Sequence, residues 1–371
     1  MRLGMVADVH VSNFSRFGGP VEAGLNRRCR QTLGTLRGAV IHAEKMKCDA
    51  LAVLGDLTDT ARPEPQVIAG IQRALETKLP IYMVMGNHDQ VSTALGDHVL
   101  GPYSPISEVI EKPVVVQVVD AELWVVPFQP GKASEWLPEA VKGLASGHQQ
   151  RGNAALLLHV GLSTHDTPVW LKDSHDQVPA LLVGDLCKEY GLSVAFAGNW
   201  HEHRVFAMAD RNMTKVVQVG ALCPTGFDNP GLVGYGSLII WDSNAKGSQE
   251  ALQRVVVSGP RFIKGTLKDC QGYCYTDYKN EFFYVTPKVP PEQIPEAQAW
   301  LEEMISERWI IDGEVLIDDV KVKSEAQAAA SAARSAETLD QALEVFIKDM
   351  PLSEQVDRAS VMARCKKYLG R

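Results

Sequence analysis

The chain has 371 residues, 45% of them hydrophobic, with 45 acidic and 37 basic side chains and a net charge of −8. At about 150 residues per domain this length predicts two to three domains, and the apolar share supplies a sizeable core and excludes a disordered chain. The acidic balance excludes a chain-wide basic surface for nucleic acid while leaving room for a local one. No apolar run reaches the roughly 18 residues of a membrane span, and Met1–Asp8 lacks a signal peptide's long apolar stretch. Seven scattered cysteines form no disulfide framework. Cys270 and Cys274 are four apart with no further partner at metal-ligand spacing, so reduced thiols in a cytoplasmic setting are expected.

The first hundred residues alternate strand and helix patterns. Met1–Ala7 is an apolar run ending in Asp8-Val9-His10. A helical pattern over Asn26–Lys45 leads to a second run, Ala50–Leu54, which ends in Gly55-Asp56. Gln66–Glu76 reads as a helix, and Ile81–Met85 ends in Gly86-Asn87-His88-Asp89. Continuous apolar runs separated by helices predict a buried, largely parallel sheet. Pro113–Val119 and Leu123–Phe128 read as a hairpin-like pair, Ala154–Val160 carries His159, and Leu192–Ala197 precedes His201 and His203. Val216–Val219, Gly236–Trp241 and Ala251–Val257 add strands. The expected class is α/β (α+β), with two packed sheets and helices outside them over residues 1–260.

Ser258-Gly259-Pro260 marks a boundary. Beyond it, Glu281–Thr286, Pro295–Arg308 and Glu314–Val322 predict a small β-α-β domain over residues 261–323. Residues 324–337 form an Ala- and Ser-rich linker, and two helices complete the 324–371 segment. A capping box from Thr338 to Gln341 opens the first helix, whose apolar face holds Leu339, Leu343, Phe346 and Ile347; Pro351 ends it, and Ser353 caps the second.

The polar residues fall in an informative place. Asp8 and His10, Asp56 and Asp59, Asn87 and His88, His159, and His201 with His203 all follow apolar runs. Ligands of open α/β sheets bind outside the carboxyl ends of strands, so five segments bring Asp, Asn and His to one edge. That donor set suits borderline divalent metals. A carboxylate can bridge two ions about 3.5–4 Å apart, the spacing that clamps both oxygens of a displacement at phosphorus. A lone Asp-x-His, Gly-Asp or His-x-His is ordinary loop chemistry; five such fragments in order at strand ends are not.

In that order the fragments resemble the calcineurin-like metallophosphoesterase superfamily: D-x-H, G-D-x-x-D, G-N-H-D/E, a lone His, then G-H-x-H. Within it, Gly55–Pro65 and the small domain after residue 260 resemble the SbcD-type DNA repair nucleases. The resemblance implies that Asp8, His10 and His203 hold one metal, that Asn87, His159 and His201 hold the other, and that Asp56 bridges them. It implies that His88, oriented by Asp59, is no ligand but serves the transition state or the leaving oxygen. It further implies two Mn ions, DNA as substrate, an SbcC-like coiled-coil ATPase docked on residues 338–371, and a homodimer. The other readings are a small-molecule phosphodiesterase or phosphomonoesterase, and a non-catalytic scaffold. The chain departs from the pattern at Trp200, where the family has Gly before His-x-His, and Asn199 beside it is a further ligand to weigh.

Overall fold

The computed structural model describes residues 1–92, 96–146, 153–164, 167, 174–207, 214–227, 236–245, 251–274, 283–318, 339–349 and 357–368. Runs of Leu, Val, Met and Ala long enough to cross a buried sheet supply its central strands. Arg2–Val6 (β1), Ala50–Leu54 (β2), Ile81–Val84 (β3) and Glu108–Ile110 (β4) are parallel neighbours. The second sheet starts with an antiparallel pair, Val114–Val118 (β5) and Ala121–Val126 (β6). Asn153–His159 (β7) and Val194–Gly198 (β8) continue it in parallel. Arg204–Ala207 (β9) pairs with Lys215–Gln218 (β10) at its edge. Ser237–Asp242 (β11) and Leu252–Val256 (β12) then return to the first sheet, giving the orders β12-β11-β1-β2-β3-β4 and β9-β10-β8-β7-β6-β5.

The sheets meet face to face. Leu3, Met5, Leu54, Leu123, Leu157 and Phe196 fill the layer between them, all fully buried. Helices close the outer faces. Arg27–Lys45 (α1) and Pro65–Ala74 (α2) cover the first sheet through Cys29, Leu36, Val40, Val67 and Ile71. Asn26 caps α1, its side chain accepting from the Cys29 N–H at 2.8 Å. Ala133–Ala145 (α3) and Ala180–Glu189 (α4) cover the second sheet. The result is the expected α/β sandwich of two sheets flanked by helices.

A third sheet begins at Arg261, directly after Ser258-Gly259-Pro260. Its strands Arg261–Thr266 (β13), Phe283–Val289 (β14), Asp312–Gly313 (β15) and Leu316–Ile317 (β16) are parallel where they pair. Leu267–Cys274 (α5) and Ile294–Ser306 (α6) pack on it. The unit is thus β-α-β-α-β rather than the β-α-β expected: β13, with only Phe262 and Ile263 buried, lacks the long apolar run of an internal strand. Cys270 and Cys274 lie inside its core as free thiols, and burial pushes them up to about 11 and about 12.

This unit is fastened to the loop after His10 and to α1. Phe17 packs on Tyr284 and Phe227, with ring centroids 5.8 and 5.5 Å away, and Tyr284 stacks on Phe262. The Tyr284 hydroxyl donates to Gln31 Oε1 at 2.7 Å, and Arg16 pairs with Glu314. Buried Arg28 lies over the Phe14 and Phe262 rings and donates to the carbonyls of Arg16 and Thr225.

Leu339–Asp349 (α7) and Arg358–Tyr368 (α8) pack on each other, with Ile347 buried and its carbonyl accepting from Arg358. Asp357 caps α8, accepting from the Ala359 and Ser360 N–H groups. The expected linker 324–337, Thr338, Pro351 and Ser353 lie outside the described residues. Among those described, no helix is long and apolar enough to cross a membrane.

Candidate metal centre

The centre starts where β1 and β2 end. The two strands run in parallel, Val6 opposite Val53, and their loops stay paired beyond the sheet. Asp8 N donates to Gly55 O at 3.1 Å, His10 N to Asp56 O at 3.0 Å, and Val11 N to Leu57 O at 3.0 Å. This ladder holds Asp8, His10 and Asp56 at φ of 49°, 49° and 51°. Such left-handed backbone costs a non-glycine residue about 1–3 kcal/mol and gathers at functional sites.

The loop after β3 is tied to the same place by Asp89. Its buried carboxylate accepts from the N–H groups of Asp56, Gly86, Leu57 and Thr58 at 2.9 to 3.4 Å. His88 N then donates to Asp56 Oδ1 at 2.9 Å. From the second sheet, β7 ends in His159, whose Nδ1 donates to Leu54 O at 2.8 Å. Its Nε2 lies 3.0 Å from Asn87 Oδ1 and 3.4 Å from Asp56 Oδ2. The turn after β8 supplies Asn199, at φ 89°, whose N–H donates to both Asp8 oxygens at 2.9 and 3.0 Å. The Asn199 side chain donates to Asp176 Oδ2 at 3.1 Å. His201 Nε2 sits 3.1 Å from His10 Nε2.

Three glycines make this approach possible. A Cβ on Gly55 would stand 1.9 Å from His159 Nδ1, one on Gly86 2.2 Å from Asp56 Oδ1, and one on Gly198 2.1 Å from Leu54 O.

Burial sets the electrostatics. It pushes the Asp8 carboxyl up to about 7, although His159, His10 and the Asn199 N–H pull it down. Burial also opposes charge on His159, but Asp56 and Asp8 outweigh it and push that ring up to about 10. Asp56 is held well below the usual carboxylate range: burial would raise it, and His159, His10 and His88 prevail. Burial, then His10, pushes His201 down to about 4, and burial with Arg254 lowers His203. His10 is raised: burial opposes the shift, and Asp59, Asp56 and Asp8 overcome it.

The residues singled out from the sequence thus gather unequally. Asp8, His10 and His201 form one group whose donor atoms lie within 4.8 Å of one another; His10, Asp56 and His88 form a second; Asp8, Asp56 and His159 form a third. Asn87 joins through His159. His203 belongs to none of these groups; its Nδ1 donates to Val219 O at 3.2 Å. Of the two C-terminal histidines, His201 is the one whose donor atom lies close to those of Asp8 and His10. Asp59 reaches His88 with its main-chain carbonyl, 3.1 Å from Nδ1, while its carboxylate lies 3.3 Å from His10 Nδ1 without the alignment of a hydrogen bond. Asn199 contributes an N–H, and its side chain turns to Asp176. The sequence reading gave no role to Asp89 or Asp176. Asp89 closes the Gly86-Asn87-His88 motif, whereas nothing in the sequence pairs Asp176 with Asn199.

Residues 1–204 match the calcineurin-like phosphoesterase family. The chain is a calcineurin-like phosphoesterase. No curated protein matches its sequence. The chain is similar in fold to TT1561 of Thermus thermophilus, at 14% identity and a TM-score of 0.44 over 69% of this chain and 99% of that one. It is similar to purple acid phosphatase PPD1 from yellow lupin seeds, at 16% identity and 0.41 over 59% and 44%. A dimetal phosphatase from Danio rerio gives 12% and 0.40 over 70% and 99%. Membership of the family rests on residues 1–204.

The side chains of this phosphoesterase fit divalent metal. Two buried carboxylates and three buried or half-buried imidazoles converge, and Asp56 Oδ2 lies between His10 Nε2 at 3.8 Å and His159 Nε2 at 3.4 Å, as a bridging ligand would. The Leu54 and Val219 carbonyls can only accept, so they take the Nδ1 protons of His159 and His203 and leave each Nε2 as the donor atom, the arrangement typical of metal-ligating histidines. The buried His10 Nδ1 has no hydrogen-bond partner. Asp8, His10, Asp56 and His159 would hold the metal, with Asn87 and His201 in reach. When bound, two such ions supply charge stabilisation at phosphorus. The chain's own part is to keep the carboxylates dry and oriented, and to present exposed His88 at the rim, its Nδ1 proton fixed on Asp59 O.

Proposed function

We propose that this phosphoesterase is a DNA nuclease of the SbcD kind, hydrolysing phosphodiesters with two Mn ions. In this reading Asp8, His10 and His203 would hold one ion, Asn87, His159 and His201 the other, and Asp56 both, although in this fold it is His201 that lies beside Asp8 and His10. The Nε2 of His203, left unprotonated by the bond from Nδ1 to Val219 O, would be its donor atom. His88 in its imidazolium form would give its Nε2 proton to the leaving oxygen and return to the neutral ring, with its Nδ1–H held by the Asp59 carbonyl. The observation that carries this reading is the fastening of the small third sheet to the loop that leaves His10, through Phe17, Arg16 and Tyr284. A second unit standing at the rim of the metal centre suits a long, shaped substrate better than a small ester. In this reading the protein works in the cytoplasm as a homodimer, and α7 and α8 dock on the coiled coil of an SbcC-like ATPase.

The test is a panel of linear double-stranded DNA, single-stranded DNA, a hairpin, a cyclic dinucleotide and a chromogenic monoester, each with Mn and with chelator. Metal-dependent cleavage of the DNA substrates is expected. Turnover of the cyclic dinucleotide or the monoester alone would replace the nuclease with a small-molecule phosphoesterase.

A further inference from the structure

One face of α1 lies away from the metal ligands and looks onto the small unit across a cleft. The cleft has a volume of about 790 Å³. Its wall on α1 follows one helical stripe: Arg27, Arg30, Gln31, Gly34, Gly38 and His42. The opposite wall brings Arg308 together with Ile305, Ile310 and Ile311. Arg308 follows α6 with a left-handed backbone, φ 62°.

The charge balance of the cleft is opposite to that of the chain. Arg27 pairs with Asp312 at 3.3 Å and Arg30 with Glu22. Among the described residues Arg308 forms no ion pair, so three guanidiniums face two carboxylates and one positive charge is left, in a chain whose net charge is −8. Arg27 Nε is buried without a hydrogen-bond partner. Across Gly34 a second hollow of about 290 Å³ adds Arg37 and Arg73 to Arg30, so the cationic surface continues past the cleft.

We propose that this cleft binds a phosphorylated small molecule with an apolar or aromatic body, of the nucleotide class. Its phosphate is taken by Arg27, Arg30 and Arg308, and its body by Ile305, Ile310 and Ile311. Arginine forks match phosphate oxygens two at a time. The volume falls within the roughly 300–1,000 Å³ usual for small-ligand sites. A nucleic-acid backbone would use the arginines and leave the isoleucine wall idle, so the smaller ligand is favoured. Such a ligand touches α1 on one side and the end of α6 on the other, and so clamps the small unit to α1. The site is separate from the metal centre and stands whether or not the chain cuts DNA.

The experiment is calorimetric titration of the full chain with adenosine 5′-monophosphate in chelator, with inorganic phosphate as the comparison. Saturable 1:1 binding is expected, tighter for the nucleotide than for phosphate. Gly34→Leu plugs the cleft without a clash at its first carbon, because a Cβ there meets no atom within 4 Å. It should weaken binding at least tenfold while the unfolding temperature holds or rises. Arg308→Glu, on an exposed side chain, should do the same and decides the matter alone if Gly34→Leu fails to fold. Cleavage of a minimal phosphodiester by both variants should match the parent chain. The proposal is overturned if the parent chain shows no saturable binding, or if a folded variant binds the nucleotide as tightly as the parent. It is also overturned if a short oligonucleotide binds with the same dependence on Gly34 and Arg308 while the mononucleotide does not, which would make the face a nucleic-acid surface.

Discussion

Gly198→Ala tests whether the spacing of the two sheets sets the metal centre. The added methyl would stand 2.1 Å from Leu54 O and 3.0 Å from His159 Nδ1. An ordinary carbon–oxygen contact begins near 3.4 Å, so the end of β8 must move away from β2 by about 1 Å. Leu54 O cannot yield alone, because it holds His159 Nδ1 at 2.8 Å. Overpacking of this kind costs about 1–3 kcal/mol in stability. A displacement of about 1 Å in catalytic groups costs on the order of 10²-fold in rate. The expected result is a lowered unfolding temperature, metal content below that of the parent by elemental analysis, and a rate on a chromogenic phosphodiester down by about 10². Gly143→Ala is the control. It lies in α3 with no atom within 4 Å of an added Cβ, and helix propensity predicts a gain of up to about 1 kcal/mol. Parent-like metal content and rate in Gly198→Ala would refute the reasoning.

Chelation should abolish phosphoesterase activity, and Asp56→Ala should abolish it with metal restored, since Asp56 Oδ2 lies between His10 and His159; full activity in either case counts against the metal centre. His88→Ala should keep its metal yet lose at least about 10²-fold in rate, and loss of metal on elemental analysis would make His88 a ligand instead. Stabilisation by Mn, read as the rise in unfolding temperature, should grow from pH 6 to pH 9. In the metal-free fold, Asp8 raised to about 7 and His159 raised to about 10 each contribute stability that is present at low pH and lost as the pH climbs through those values. Asp56, lowered, loses its contribution only on acidification. Metal needs the deprotonated forms, so the gap widens upward; a flat or shrinking gap would contradict these shifts. Asn199→Gly, which keeps the N–H on Asp8 but drops the bond to Asp176, should weaken Mn binding modestly, and Asp176→Asn should behave alike; opposite effects of the two would separate them.

The sequence could announce the centre because its residues lie within a few positions of strand ends. An apolar run that stops at Asp8-Val9-His10 or Gly86-Asn87-His88 carries its chemistry with it. What it could not carry is which of His201 and His203 lies beside Asp8 and His10. That depends on a turn in which Asn199 takes φ 89° and binds Asp8 through its N–H, and Trp200 already departs from the family pattern there. Asp59 was legible as a partner of His88, but not that its main-chain carbonyl would make the contact. Helix α3 escaped notice because Pro138 interrupts it and because proline usually argues against a helix interior. Strand β13 escaped because an edge strand needs only part of an apolar face. The helices over the first sheet were plain, since their apolar positions recur on one side.

Strain explains why so many contacts in the centre come from backbone. Four of its non-glycine residues, Asp8, His10, Asp56 and Asn199, have positive φ. At about 1–3 kcal/mol each, that is comparable with the whole stability of many domains, so the conformations persist only because other bonds fix them. The fixings are visible: the Asp8–Gly55, His10–Asp56 and Val11–Leu57 ladder, the Asp89 carboxylate under both loops, and the Asn199 N–H on Asp8. Each lies one residue or less from a donor side chain, so the loops cannot relax without scattering the donors. A site fixed in this way before metal arrives spends little ordering entropy on binding it. The cost is carried instead by folding, where the buried layer between the two sheets can bear it.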